Sequence, residues 1–107
     1  MPLPVFVSFE GGEGSGKSTQ AERLYRRLRD EGVDAVLVHE PGSTRLGHAL
    51  RRFLLSQRPE PRAELLLVLA ARAQLVAEVV RPALERGASV VADRYADSSV
   101  AYQGHGR

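Results

Sequence analysis

The chain contains no cysteine, which excludes a disulfide framework and a thiolate metal site within it and fits a cytoplasmic setting. No apolar run reaches the length needed to cross a membrane. Met1-Pro2-Leu3-Pro4 leads straight into the first apolar segment without a basic n-region or a cleavage site, so no signal peptide is expected. Charge of one sign is also scarce. The formal net charge is +2 and the arginines are interspersed with carboxylates, so the arginine-rich helix faces read as solvated, and neither nucleic acid nor a membrane is expected as a partner. Internal repeats and low-complexity segments are absent, and 107 residues allow one domain with a modest core. The most informative scarcity is lysine. Of 15 basic residues 14 are arginine, and the single lysine is Lys17.

Lys17 belongs to Gly11-Gly12-Glu13-Gly14-Ser15-Gly16-Lys17-Ser18, a full match to the G-x-x-x-x-G-K-[ST] phosphate loop. Glycines suit a backbone that turns sharply and brings its N–H groups to phosphate oxygens. A flexible ammonium reaches outer phosphates where a rigid guanidinium fork fits poorly, and a serine hydroxyl serves Mg²⁺. The bland alternative is a glycine-rich turn between two core elements. The flanks argue against it: Val5-Phe6-Val7-Ser8-Phe9 reads as a buried strand, and Ala21, Leu24, Tyr25 and Leu28 follow at helical spacing from a start near Lys17. That order aims a helix N-terminus at whatever the loop holds, which makes Gly11 to Ser18, with Thr19, the expected phosphate-binding stretch.

Gly32 ends the first helix, and residues 33–38 read as a second strand joined to the first by a right-handed parallel crossover. Ligands of such sheets lie at the carboxyl ends of the strands, where Glu40-Pro41-Gly42 emerges. That tripeptide also suits a plain turn. Ser43 or Thr44 caps a helix with Leu46, Ala49, Leu50, Phe53 and Leu54 on its core face, leaving Arg51 and Arg52 outside. After Pro59 and Pro61 a helical stretch over residues 62–86 is expected, with residues 65–71 apolar on every side and therefore buried, and with a kink or two consecutive helices at Pro82. Arg72, at the edge of this run, requires an anion or an internal salt bridge. Residues 88–92 read as a third buried strand that delivers Asp93 and Arg94 at its end, the first suited to Mg²⁺ and the second to gripping a phosphate, against the alternative of a surface Asp–Arg pair. Residues 97–99 offer a cap for a last helix from Val100 to Gln103.

These segments, Phe9-Glu10-Gly11, Glu40-Pro41-Gly42, Glu64 to Leu67, Ala71-Arg72-Ala73-Gln74 and Asp93 to Gly104, resemble bacterial thymidylate kinases over essentially the whole chain. The resemblance implies an α/β fold of the P-loop NTPase type, a three-layer α/β/α arrangement with a parallel sheet in the order second, third, first strand. It implies an ATP-dependent transfer of the γ-phosphoryl to dTMP, giving dTDP. Lys17 would neutralise the transferring phosphoryl, Ser18 and Asp93 would serve Mg²⁺, and Arg94 would hold the acceptor phosphate with help from Arg51. Arg72 and Gln103 would read the thymine edge in a pocket lined by Ser99 and Tyr102, with Glu40 and Pro41 on the same acceptor side. Glu13 corresponds to the family carboxylate that approaches the sugar 3′-hydroxyl.

Two departures stand out. His39 occupies a common arginine position, and Val68 the place of a phenylalanine that stacks on thymine. The resemblance covers the N-terminal part of the family domain, with the lid and the adenine-contacting loop expected beyond Arg107, and the complete protein is expected to be a homodimer. The alternatives are a kinase for another nucleoside monophosphate and a nucleotide-binding fragment without turnover.

Overall fold

The structure is a computed structural model that describes residues 3–11, 16–40 and 42–95. Its elements are β1 (Phe6–Gly11), α1 (Lys17–Asp30), β2 (Ala35–Glu40), α2 (Arg45–Gln57), α3 (Pro61–Leu75), a π-helical turn (Val76–Val80), α4 (Arg81–Glu85) and β3 (Ser89–Tyr95). The expected helix over residues 100–103 and its cap lie outside the described residues.

The three strands form one parallel sheet in the order β1-β3-β2, as the resemblance implies. The strand latest in sequence is therefore central. Val90, Val91 and Ala92 of β3 are fully buried, whereas Val5 and Phe6 are 48% and 41% exposed. As that strand order implies, β1 is an edge with only β3 beside it among the described residues, so its apolar side chains are only partly covered. The second strand also sits further along than residues 33–38. Its ladder with β3 begins at Ala35↔Ser89 and continues through His39↔Asp93 and Glu40↔Arg94, so the polar residues expected just past the strand ends are paired within them.

Side chains alternate across a strand, and helices cover the two faces. On one face Val38, Val90 and Ala92 pack with Ala88 against Leu75, Val80 and Ala83 of the helical stretch. On the other lies α1, which runs against all three strands and buries Ala21 completely. α2 packs beside α3 rather than on the sheet. Its expected core face is consequently only partly covered, with Leu46 and Phe53 at 42% and 45% exposed and Gly47 the buried residue of the helix. The apolar run of α3 needs the same correction. Ala71 is buried, but Leu66 is 66% and Leu69 41% exposed, because the described residues supply α2 and the sheet as neighbours and no layer on the remaining side.

Local chemistry explains the boundaries. Thr44 caps α2 by accepting from the Gly47 N–H at 2.9 Å, while the Ser43 hydroxyl accepts from the His39 N–H, so each of the two candidate cap residues holds a different part of the turn. Glu60 caps α3 by accepting from the Ala63 N–H at 3.1 Å, with Pro61 in the first turn where its missing N–H costs nothing. Near Pro82 the long stretch divides as expected into consecutive helices, α3 and α4, joined by the π turn. Pro82 follows the π turn over Val76–Val80, whose wider hydrogen-bond spacing accommodates a ring that an α-helical carbonyl four residues back would meet. At the C-terminus of α4 the Gly87 N–H donates to Leu84 O at 3.0 Å and the Ala88 N–H to Ala83 O at 2.9 Å, a Schellman closure repeated at Gly32 behind α1. Asp34 and Arg86 then pair at 3.2 Å between the strand and helix ends, which holds the Asp34 carboxyl below the usual carboxylate range.

Gly87 has φ +88°, and nothing lies within 4 Å of where a Cβ would project. Gly87→Ala therefore meets backbone strain but no clash, and it is expected to lower stability by about 1 kcal/mol in urea unfolding. An unchanged midpoint would show that the turn relaxes at no cost.

Candidate active site

Parallel pairing brings the carboxyl ends of β1, β2 and β3 to one edge of the sheet, and alternation sorts their polar residues onto its two faces. Asp93 and His39, paired in register, share the face covered by α1. Arg94, Glu40 and Glu10, the next rung of the ladder, share the face covered by α3. Adjacent residues of one strand thereby serve different compartments.

On the α1 side Gly16 adopts φ +81° and starts the helix, a conformation open to glycine and costly for other residues. The Gly16 carbonyl accepts from the Gln20 N–H at 3.1 Å, and as a glycine the cap brings no side-chain acceptor to the first-turn N–H groups. Such groups, with the helix dipole behind them, suit an anion. Ser18, in this first turn, donates its hydroxyl to Asp93 Oδ2 at 2.8 Å. The carboxylate is 5% exposed, and His39 Nδ1 approaches the same oxygen at 3.1 Å from a ring that is 57% exposed. Against a carboxylate acceptor, Nδ1 is the ring nitrogen that carries the proton. The ring thus places a donor beside the Asp93 carboxylate.

On the α3 side Glu40, 8% exposed, accepts from two arginines at once. Arg72 Nε meets its Oε1 and Arg94 Nε its Oε2, both at 2.8 Å. Arg94 further extends Nη1 to within 3.4 Å of Glu10 Oε2, and its guanidinium carbon lies 5.6 Å from the centre of the Phe6 ring. The Ser8 hydroxyl donates to the same Glu10 oxygen at 3.3 Å. Arg72 therefore has the internal carboxylate partner that its position required. A surface pair between Asp93 and Arg94 is not formed, since alternation turns the two apart.

The structure brings Ser18 to Asp93, and Arg72 and Arg94 to Glu40. Arg51 is exposed on α2, but its Cδ lies 3.9 Å from where a Cβ on Gly42 would stand, so it runs along the turn that leaves β2. Thr19 is exposed on α1, and Val68 is half-buried on α3. Gly11 ends β1 at the mouth of the loop. Gly12, Glu13, Gly14, Ser15, Pro41, Ser99, Tyr102, Gln103 and the side chain of Lys17 lie outside the described residues. Two participants were not assigned roles by sequence reasoning. Glu10 shares a rung with Arg94, a signal available once β1 and β3 are placed in register; His39 is likewise found by its rung with Asp93.

The Ser18 hydroxyl and Asp93 carboxylate form a hard oxygen donor set of the kind Mg²⁺ prefers. Among the described residues no group of three or more His, Cys, Asp or Glu is placed to hold a metal ion. Mg²⁺ needs none, because it binds through one or two protein oxygens and completes its shell with phosphates and water.

A family model described as thymidylate kinase matches residues 9–107. A thymidylate kinase of Roseiflexus sp. (strain RS-1) is 56% identical over 107 residues, covering 97% of this chain and 47% of that protein. One from Pseudomonas fluorescens (strain SBW25) is 55% identical over 106 residues, covering 96% and 50% respectively. The chain thus spans about half the length of the curated relatives it matches. Among solved structures, the crystal structure of thymidylate kinase from Ehrlichia chaffeensis superposes with a TM-score of 0.86 at 39% identity, over 98% of this chain and 61% of that one. With a phosphate loop opening α1, a Ser18–Asp93 pair on one face of the sheet, an arginine pair on the other and a family match over nearly its whole length, the chain belongs to the thymidylate kinase family.

Proposed function

We propose that the protein transfers the γ-phosphoryl of ATP to dTMP, giving dTDP. The observation that carries this reading is the division of labour along β3, with Asp93 turned to the phosphate-loop helix and Arg94 to the arginine-bearing helix. ATP phosphates lie along the loop from Gly11 to Ser18 and against the N-terminus of α1, where Lys17 adds a mobile positive charge. Ser18 and Asp93 would hold Mg²⁺, which when bound would neutralise charge on the donor phosphates. Arg94 grips the acceptor phosphate, Arg51 approaches it from α2, and Arg72 with Gln103 reads the thymine edge. Positioning and electrostatics carry most of the work of phosphoryl transfer, so the chain's contribution is to fix the two phosphates in line and to exclude competing water. Glu13 accepts from the sugar hydroxyl, and Ser99 and Tyr102 line the base pocket beside Glu40 and Pro41. The protein works in the cytoplasm as a homodimer; the exposed apolar residues Leu55, Leu66 and Leu69 support burial of the α2–α3 side against further protein.

Lys17→Ala in the complete enzyme is expected to abolish dTDP formation in a coupled assay while circular dichroism and the melting temperature stay at wild-type values, because the lysine contributes charge and not packing. Asp93→Asn is expected to raise the Mg²⁺ concentration needed for half-maximal rate more than it raises the KM for dTMP. Unaltered turnover in the first variant, or the reverse order of effects in the second, would contradict the assigned roles.

No arginine lies between Gly11 and Lys17, so a transition-state cation has to come from outside the phosphate loop. In phosphoryl-transfer enzymes such an arginine is worth roughly 10³ to 10⁵ in rate. The relatives are about twice as long as this chain, and residues 1–107 alone are expected to bind ADP weakly and to form no measurable dTDP from ATP and dTMP. Turnover by the isolated chain at a rate typical of kinases would show that its own residues complete the machinery.

A further inference from the structure

Glu40 does more in this structure than occupy the acceptor side. Its two carboxylate oxygens are divided between two arginines from different elements, Arg72 of α3 and Arg94 of β3, each bound at 2.8 Å through Nε. The Glu40 side chain is 7% exposed, against 30% for Arg72 and 22% for Arg94. Two guanidinium groups so close repel each other unless an anion lies between them, and a nearly buried carboxylate is costly unless cations surround it. Each charge thus stabilises the other two in place.

The mode of binding matters as much as the charge. A guanidinium held by Nε is anchored at its elbow and keeps its terminal nitrogens for another acceptor. Among the described residues Arg72 is held through Nε alone, and Arg94 commits Nη1 only to a long 3.4 Å contact with Glu10, whose side chain is half exposed. A carboxylate that gripped either arginine across both Nη groups would consume the donors that a phosphate or a pyrimidine edge requires. Glu40 is itself fixed from behind: it is the last residue of β2, paired in register with Arg94, and the Ser43 and His39 hydrogen bonds close the turn that follows it.

From this geometry we infer that Glu40 is a positioning residue: it touches neither nucleotide and orients Arg72 and Arg94 together, so that the base end and the phosphate end of the acceptor are recognised by one preorganised unit. The inference rests on the proposed dTMP site. It differs from that reading in assigning Glu40 an action through the arginines and not through a contact with substrate.

The test has two arms on the complete enzyme. In ligand-free protein, Glu40→Gln should move the Nε–H resonances of both Arg72 and Arg94 in ¹⁵N NMR spectra, because one carboxylate holds both. In calorimetric titrations the same variant should weaken dTMP binding by about tenfold or more, the size expected for losing charge-assisted hydrogen bonds, and leave ADP binding within about twofold. Glu40→Asp keeps the charge but withdraws it by one methylene, and should weaken dTMP to an intermediate extent, which also serves if the amide variant does not fold. Resonances that stay in place while dTMP weakens would show direct contact of Glu40 with the nucleotide and overturn the inference. Equal losses for dTMP and ADP would show a general structural role and overturn it as well, as would wild-type dTMP affinity in either variant. Failure of the unsubstituted enzyme to bind dTMP at all would instead overturn the functional reading, and this inference with it.

Discussion

Everything in the site depends on the parallel pairing of β3 between its two neighbours. Because β3 is central, it is the one strand among the described residues whose residues are flanked by strand ends on both sides and by helices on both faces. Two consecutive polar residues there cannot serve the same compartment, since alternation turns Asp93 toward α1 and Arg94 toward α3. The same rung structure carries His39 to Asp93 and both Glu40 and Glu10 to Arg94. A shift of β3 by one residue against its neighbours would exchange the two sets and leave the Ser18 hydroxyl facing a guanidinium. Register is therefore the constraint that gathers otherwise ordinary acidic and basic residues into one site.

Much of this was legible in the sequence. The phosphate loop, the helix opening at Lys17, the glycine stops at Gly32 and Gly87 and the apolar run before Asp93 each carry local chemistry that names an element without tertiary information. The strand order followed from the resemblance. What escaped was set by neighbours. Whether Leu66 and Leu69 are covered depends on which layers stand next to them, and apolar composition alone cannot report that. The ends of β2 and β3 were placed short because polar residues read as loop, whereas here Glu40, Asp93 and Arg94 keep pairing in the ladder while their side chains find partners.

The charges of the site show the same interplay of local and distant causes. Arg72 follows an apolar run, which signals that it has an important partner, but its partner lies 32 residues away on another element. Glu40 could be read as a simple turn residue from its Pro-Gly sequel. Only the fold shows that a single buried carboxylate divides itself between two arginines and so explains why a helix with a strongly apolar stretch tolerates a guanidinium at its edge. His39 makes a parallel case. An imidazole on the neighbouring strand hydrogen-bonds the carboxylate that faces the phosphate-loop helix, a contact set by the shared rung and not by sequence proximity.

The account stands on the claim that the two faces of β3 address two different nucleotides. A crystal structure of the complete enzyme with dTMP and a non-hydrolysable ATP analogue bound together tests it most directly. The account predicts the analogue's phosphates on the α1 side within reach of Ser18 and Asp93, the dTMP phosphate against Arg94 and its base toward Arg72 on the α3 side, with the two phosphate chains meeting at the carboxyl ends of the strands. Both nucleotides contacting the same face, or dTMP bound away from Arg72 and Arg94, would contradict it.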